Sequence, residues 1–305
     1  MVRASVRCGS VAVALVLAAP VAGHAAALTS SQILSQFNLL TQDNASTSSD
    51  VQGAAVVGGT LSGGGSFFTS GGAPASTALD VYGKLSGPTI NIDNGGDLDY
   101  TGALHNGEVN FNGGGTQIKS GPPLPLSDYT APLDSLSTSL AGLTANSLVT
   151  DKNSTATFNA VAGKNGVAVF SLSGTALQND LKNSNVQFDV GSGVKSVVVN
   201  VSGNFSDPSS SNWNGAPLRN VLFNFGNATS VSLGNWQSSV LAPKATVKIN
   251  SGALNGTLFA STFSGGGELH NDTFTGLLPV PEPASLGLFG VGVAALAAIR
   301  RRRRR

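Results

Sequence analysis

The sequence predicts an all-β body wound as a right-handed β-helix or solenoid, with one or two α-helices flanking it. Three observations carry this. Apolar residues recur with a period of two over runs of about four to seven residues, the pattern of half-buried strands. Gly, Asn, Asp and Pro punctuate these runs as turns. Charged residues make up only 11% of the 305 positions, and the helix formers Glu, Lys, Gln and Met are scarce beside Gly, Ser, Thr and Asn. A β-sandwich meets the same conditions. Asn and Gly at strand ends, small residues throughout and only two tryptophans favour the solenoid, in which each coil buries its inward residues on the next. No fixed repeat period emerges, which counts against a highly regular one.

Taken in order, Ser30 to Leu40 places Ile33, Leu34, Phe37 and Leu40 at helical spacing behind a serine cap. Ile90-Asn91-Ile92-Asp93 and Val109-Asn110-Phe111-Asn112 alternate as strands. Ser120 to Pro132 reads as a proline-rich connector between an N-terminal and a C-terminal β part that share a core. Pro132 to Leu148 sets Leu133, Leu136, Leu140 and Leu143 at helical spacing, with Pro132 suited to a first turn. This predicts a helix lying along the β-body. Val186 to Val190, Ser196 to Ser202, Val221 to Phe225 and Ala245 to Ile249 complete the alternating runs. Pro243, unable to donate to a ladder, marks a strand edge or corner.

The two ends have a different composition. Arg3 and Arg7 precede the apolar stretch Val11 to Val21 and the small residues Ala25, Ala26 and Ala27. These are the parts of a signal peptide, residues 1–27, cleaved near those alanines after export through the Sec machinery. At the other end, Pro281-Glu282-Pro283 leads into the apolar run Ala284 to Ile299 and then Arg300, Arg301, Arg302, Arg303, Arg304 and Arg305. The run is shorter than the roughly 20 residues that comfortably span a bilayer, but arginine stems can snorkel. The arginine block labels the cytoplasmic side and acts as a stop-transfer signal for a transmembrane helix. Triplet, short span and basic end, residues 280–305, resemble the PEP-CTERM sorting signal of Gram-negative bacteria. That resemblance implies an exosortase as processing partner, an inner-membrane intermediate, and a final place at the cell surface or in the extracellular matrix.

The formal charge of +1 describes the precursor. Between Leu28 and Pro279 there are nine positive groups and fifteen negative ones, so this body carries −6. A basic nucleic-acid-binding surface is thereby excluded. Cys8 is the only cysteine and falls in the signal, so the body has no disulfide, thiol nucleophile or thiolate metal site.

Within the body, Phe37-Asn38-Leu39 with Ser49 to Gly59, and Val240 to Gly276 with LAPKATV, LNGTLFAS and GGGELHNDTFTG, resemble the choice-of-anchor A family of exported bacterial proteins. The resemblance covers nearly all of residues 28–279 and implies one β-rich domain displayed at a surface. It brings no catalytic residues. The same residues read structurally, because Gly53, Gly58 and Gly59 suit tight turns or a closely approaching backbone.

The search for chemistry yields little. His105 and His270 are far apart, and no HExxH spacing occurs. Alternation puts Glu268, His270 and Asp272 on one strand face, a pattern more often a solvated strand end than an acid–base cluster. Asp93, Asp97 and Asp99 surround Gly95-Gly96 and could supply oxygen ligands to calcium, although an Asx-rich turn explains them more cheaply. No GxSxG elbow, P-loop or dinucleotide fingerprint is present, and no cofactor is implied. The reading is therefore a non-enzymatic structural or adhesive protein, with exopolysaccharide or surface proteins as partners and a link to biofilm. A polysaccharide-active enzyme on a β-helix would need converging carboxylates in a cleft. An ice-binding solenoid would need regular Thr-x-Thr ranks, and Thr155-Ala156-Thr157 stands nearly isolated.

Overall fold

The computed structural model describes residues 28–72, 77–105, 108–208, 211–213 and 218–278. The signal peptide, the sorting triplet and the basic tail lie outside the described residues. Helix α1 (Ser30–Gln36) leads into β1 (Phe37–Thr41), β2 (Ala45–Thr47), β3 (Ala54–Val57), β4 (Leu61–Ser62), β5 (Ser66–Phe67) and β6 (Thr77–Val81). There follow β7 (Leu85–Ser86), β8 (Ile90–Ile92), β9 (Asp97–Tyr100), β10 (Leu104–His105), β11 (Val109–Phe111) and β12 (Gln117–Ile118). After α2 (Leu126–Ala141) come β13 (Leu148–Lys152), β14 (Thr155–Ala160), β15 (Val167–Ser173), α3 (Gly174–Leu181), β16 (Asn185–Val190) and β17 (Ser196–Ser202). The chain continues through β18 (Phe205–Ser206), β19 (Asn212–Trp213), β20 (Leu218–Asn224), β21 (Ser230–Leu233), β22 (Ser238–Ile249), β23 (Ala253–Asn255), β24 (Leu258–Gly265) and β25 (Glu268–His270).

The strands wind a three-faced solenoid. Nearly all pairings are parallel; the β13–β14 hairpin is antiparallel, so the sandwich alternative is set aside. The first face runs β15-β17-β20-β22-β24-β1-β3-β6-β9-β12. The second runs β18-β21-β22-β24-β2-β4-β7-β10, using the far halves of β22 and β24. The third links β23, β25, β5, β8 and β11 through bridges at Val51. Inward residues stack rung on rung, as in the second-face ladder Phe205-Val231-Val247-Phe263-Ala45-Leu61-Leu85. All belong to one continuous core, so the two β parts share it as expected.

Spatial order is not chain order. The last coil stacks on the first, Leu258 against Leu39, so the described residues enter at the middle of the solenoid. It winds outward to β12, returns through α2, and winds inward from β15. Along the first face, coil offsets range from 16 residues (Leu39 to Ala55) to 29 (Val167 to Ser196), which is why no period is visible. Asn38 fastens the seam between first and last coils. Its Nδ2 donates to the carbonyls of Gly256 (2.6 Å) and His270 (3.0 Å), and its Oδ1 accepts from Gly53 N–H (3.1 Å). Where coils turn from first to second face the backbones nearly touch. A Cβ on Gly83 would lie 2.4 Å from the Gly59 carbonyl oxygen, and one on Gly102 1.9 Å from that of Gly83.

Both expected helices exist with shifted bounds. Helix α1 stops at Gln36, is capped by Thr29 rather than a serine, and leaves Phe37 and Leu40 in β1. Helix α2 begins at Leu126, inside the stretch read as a connector, and ends at the Gly142 cap. Pro132 therefore lies inside the helix, not in its first turn, at the cost of one helical hydrogen bond. Its 16 residues span about 24 Å, about five rung spacings of 4.8 Å. It packs on β1, β17, β20 and β22 of the first face, burying Leu133, Leu136 and Leu140. That cover corrects another expectation: β17 is not half-buried, since Ser196 to Val201 are buried on both sides. Helix α3 was not legible from the sequence. Capped by Ser173 Oγ, which accepts from Ala176 N–H at 3.1 Å, it buries Leu177 and Leu181 and packs beside β18 and β15. Pro243 sits where β22 changes register between Ala242 and Thr246, at a corner as predicted. No described helix is long and apolar enough to cross a membrane.

Candidate functional site

Apart from α3 beside its β18 edge, no helix packs on the second face, and its outward side chains form two ranks. One consists of Ser206, Ser232, Lys248, Ser264, Ser46, Ser62 and Ser86, each on a successive rung. The other, two residues back along each strand, contains Ser230, Thr246, Thr262, Asn44, Thr60 and Lys84. Rungs repeat at about 4.8 Å and ranks lie about 6.6 Å apart, so the face is a lattice of hydroxyls over an apolar floor. The ranks are ordered from within. Thr262 Oγ1 donates to Thr246 Oγ1 at 2.8 Å, and Asn44 Oδ1 accepts Thr60 N–H at 2.7 Å. Among the described residues, the hydroxyls of Ser46, Ser86, Ser206, Ser232 and Ser264 bond to nothing else in the chain and face solvent. The ranks were missed in the sequence because each strand contributes only one member to each.

Beside α2 lies a groove of about 360 Å³, lined by Ser137, Thr138, Ser171, Ser202, Asn227 and Lys244 among others. It continues past Gln42 and Asp134. Two asparagines hold the helix over it. Asn224 Nδ2 donates to the Ser137 carbonyl and to Asn200 Oδ1, both at 2.9 Å, while its Oδ1 accepts Ser137 Oγ at 2.6 Å. Asn200 Nδ2 donates to the Leu140 carbonyl at 2.7 Å. Burial raises the Asp134 carboxyl, partly offset by Gln42 Nε2, which donates to it at 2.7 Å, and by the Lys244 charge.

Under the other end of α2, Asp80 and Asp99 occupy adjacent rungs of β6 and β9, 1% and 4% exposed. Tyr129 O–H donates to Asp80 Oδ2 at 3.2 Å, whereas Asp80 Oδ1 has no partner. Desolvation, then the Asp99 charge, push the Asp80 carboxyl up to about 7, against the lowering effect of Tyr129. Asp99 is also raised, by burial first. Tyr82 O–H donates to the Leu124 carbonyl, and burial raises both tyrosines.

The three calcium candidates do not converge. Asp93 follows β8 on the third face and accepts Asn112 Nδ2 at 2.7 Å. Asp97, in β9 on the first face, accepts Thr116 N–H and Oγ1 at 2.7 and 2.8 Å. Asp99 accepts Thr77 Oγ1 at 3.2 Å. Among the described residues no three His, Cys, Asp or Glu side chains are grouped to hold a metal. Glu268 and His270 do meet, Oε2 to Nε2 at 2.9 Å, with Asn255 Oδ1 2.6 Å from Nδ1. Asp272 does not join them, because β25 ends at His270 and the Asp272 N–H turns back to the His270 carbonyl at 2.8 Å.

Residues 279–304 match the PEP-CTERM protein-sorting motif, which marks an exported protein processed by an exosortase. A solved ice-binding protein from an Antarctic ascomycete, Antarctomyces psychrotrophicus, is similar at 15% identity, over 79% of this chain and 96% of that chain, with a TM-score of 0.29. No curated protein matches the sequence. Residues 30–271 match the model of an ice-binding-like adhesive domain, and the chain belongs to that family.

Proposed function

We propose that this protein is a non-enzymatic, surface-displayed adhesive domain whose second face binds extracellular polysaccharide. The observation that carries it is the pair of hydroxyl ranks, solvent-facing and fixed by the coil spacing. Such a lattice offers an extended polyhydroxylated chain repeated donors and acceptors with little ordering cost, since the backbone is already rigid. Two features separate this from enzyme chemistry. Among the described residues no cleft gathers carboxylates, and the Asp80–Asp99 pair is sealed beneath α2, out of a polymer's reach. In this reading residues 1–27 are removed near Ala25 to Ala27. Residues 28–279 form one displayed domain, as in choice-of-anchor A proteins. The tail holds the chain at the inner membrane through Arg300 to Arg305 until it is processed near Pro281-Glu282-Pro283, leaving the domain in a biofilm matrix.

Ice binding is the second reading, favoured by the Thr246–Thr262 pair and the serine rank. Lys248 stands within that rank and Lys84 within the other, and their hydrated ammonium groups break the flat lattice that ice requires. A glycan array tests the first reading. Binding that is lost when Ser46, Ser62 and Ser264 are replaced together by Glu supports it; a protein that binds no glycan but shapes growing ice crystals refutes it.

A further inference from the structure

We infer that the groove beside α2 receives an acidic sugar unit, a uronate, of such a polysaccharide, with Lys244 recognising its carboxylate. The inference rests on the polysaccharide reading above. The groove runs parallel to the solenoid axis, so its floor supplies small polar side chains from successive rungs: Ser171 from β15, Ser202 from β17 and Asn227 after β20. Its wall is the α2 turn carrying Ser137 and Thr138. The lining sets hydroxyl and carboxamide groups beside apolar surface from Ala141 and Val201, a mixture suited to the hydroxyl edges and C–H faces of a sugar ring.

Two groups on its lining are charged, and they differ in availability. The Asp134 carboxylate is engaged by Gln42 at 2.7 Å. Lys244 is exposed and forms no ion pair among the described residues. Its ammonium acts on Asp134 only at a distance, without a contact ion pair, and a carboxylate-bearing sugar supplies that contact.

The surroundings extend the match. Along β22, Lys244, Thr246 and Lys248 are the exposed alternate residues, so a chain seated at Lys244 continues onto the second face, where Lys248 and then Lys84 follow. Between its borders with the other faces, marked by Asp43 and Asp207, the described part of that face carries no carboxylate. The body as a whole is −6, yet at physiological salt charges beyond about 8 Å are largely screened. On the second face a chain meets lysines; Asp134 is the carboxylate beside the groove, and the acids at Asp93 and Glu268 belong to the third face.

The test uses full-length protein in mild detergent, titrated calorimetrically with oligogalacturonate and with the same oligomers methyl-esterified. The acidic form should bind more tightly, and the difference should shrink as salt rises. Lys244→Ala should weaken acidic-form binding by about twofold to fivefold, within the range for one exposed charge pair. Lys244→Arg should restore it, and Lys195→Ala, at the opposite end of β17 from Ser202, should leave it unchanged. Equal binding of both forms, or an unaffected Lys244→Ala, overturns the groove assignment and leaves the polysaccharide reading standing. Failure to bind either form, beside neutral glycans that bind on the array, also overturns only the groove. Failure to bind any glycan removes the reading beneath it.

Discussion

Replacing Asp80 by Asn should stabilise the protein, and only above mildly acidic pH. Asp80 is buried with one oxygen unpartnered, and Asp99 lies on the next rung. Its carboxyl rises from 3.8 to about 7, so between about pH 4 and 7 the folded state holds a proton that the unfolded state has released. Wild-type stability therefore falls as pH rises through that window and levels off above it. At about 1.4 kcal/mol per pH unit the full decline from this group is about 4 kcal/mol. Burial raises Asp99 in the same sense. Asparagine removes the desolvated charge yet keeps an acceptor for Tyr129. Its amide can donate to Asp99 across the rung, as Asn112 already does to Asp93. Allowing for imperfect geometry, the gain at pH 8 should be about 2–4 kcal/mol, or about 5–15 °C in Tm for a body of this size. Circular-dichroism melts of both proteins at pH 4 and pH 8 provide the assay. A variant no more stable than wild type at pH 8, or a wild-type Tm that does not fall between pH 4 and 8, refutes the reasoning.

Other substitutions probe how the coils and helix are held. Asn224→Leu strips the Ser137 carbonyl, Ser137 Oγ and Asn200 of their shared partner and should cost about 3 kcal/mol; hydrogen exchange should accelerate across α2 first. Gly83→Ala drives a Cβ into the Gly59 carbonyl and should lower stability by about 1–3 kcal/mol, read from the urea midpoint. Asn38→Ala opens the seam between first and last coils and should cost about 2–4 kcal/mol, with protease cutting near Gly256 or Gly53 as the readout.

What was legible in the chain follows from the range over which each signal acts. A strand declares itself through residues two apart, so runs such as Ser196 to Ser202 were readable. Helix α3 presents only Leu177 and Leu181 as a buried pair at helical spacing, too little to stand out. The Asp93, Asp97 and Asp99 cluster looked like a site because it is dense in sequence, yet winding the coil separates it between two faces. Conversely, the second face was invisible: its serine rank is assembled from one residue on each of several strands.

The sequence by itself determined an exported, thiol-free, acidic β-body, because targeting ends, charge and strand alternation are written in local order. Only the tertiary structure decided that coils near positions 39 and 258 adjoin, that α2 bridges the solenoid, and that scattered hydroxyls and lysines share one face. Those facts depend on which coil stacks on which, and with coils of unequal length no local pattern encodes the stacking.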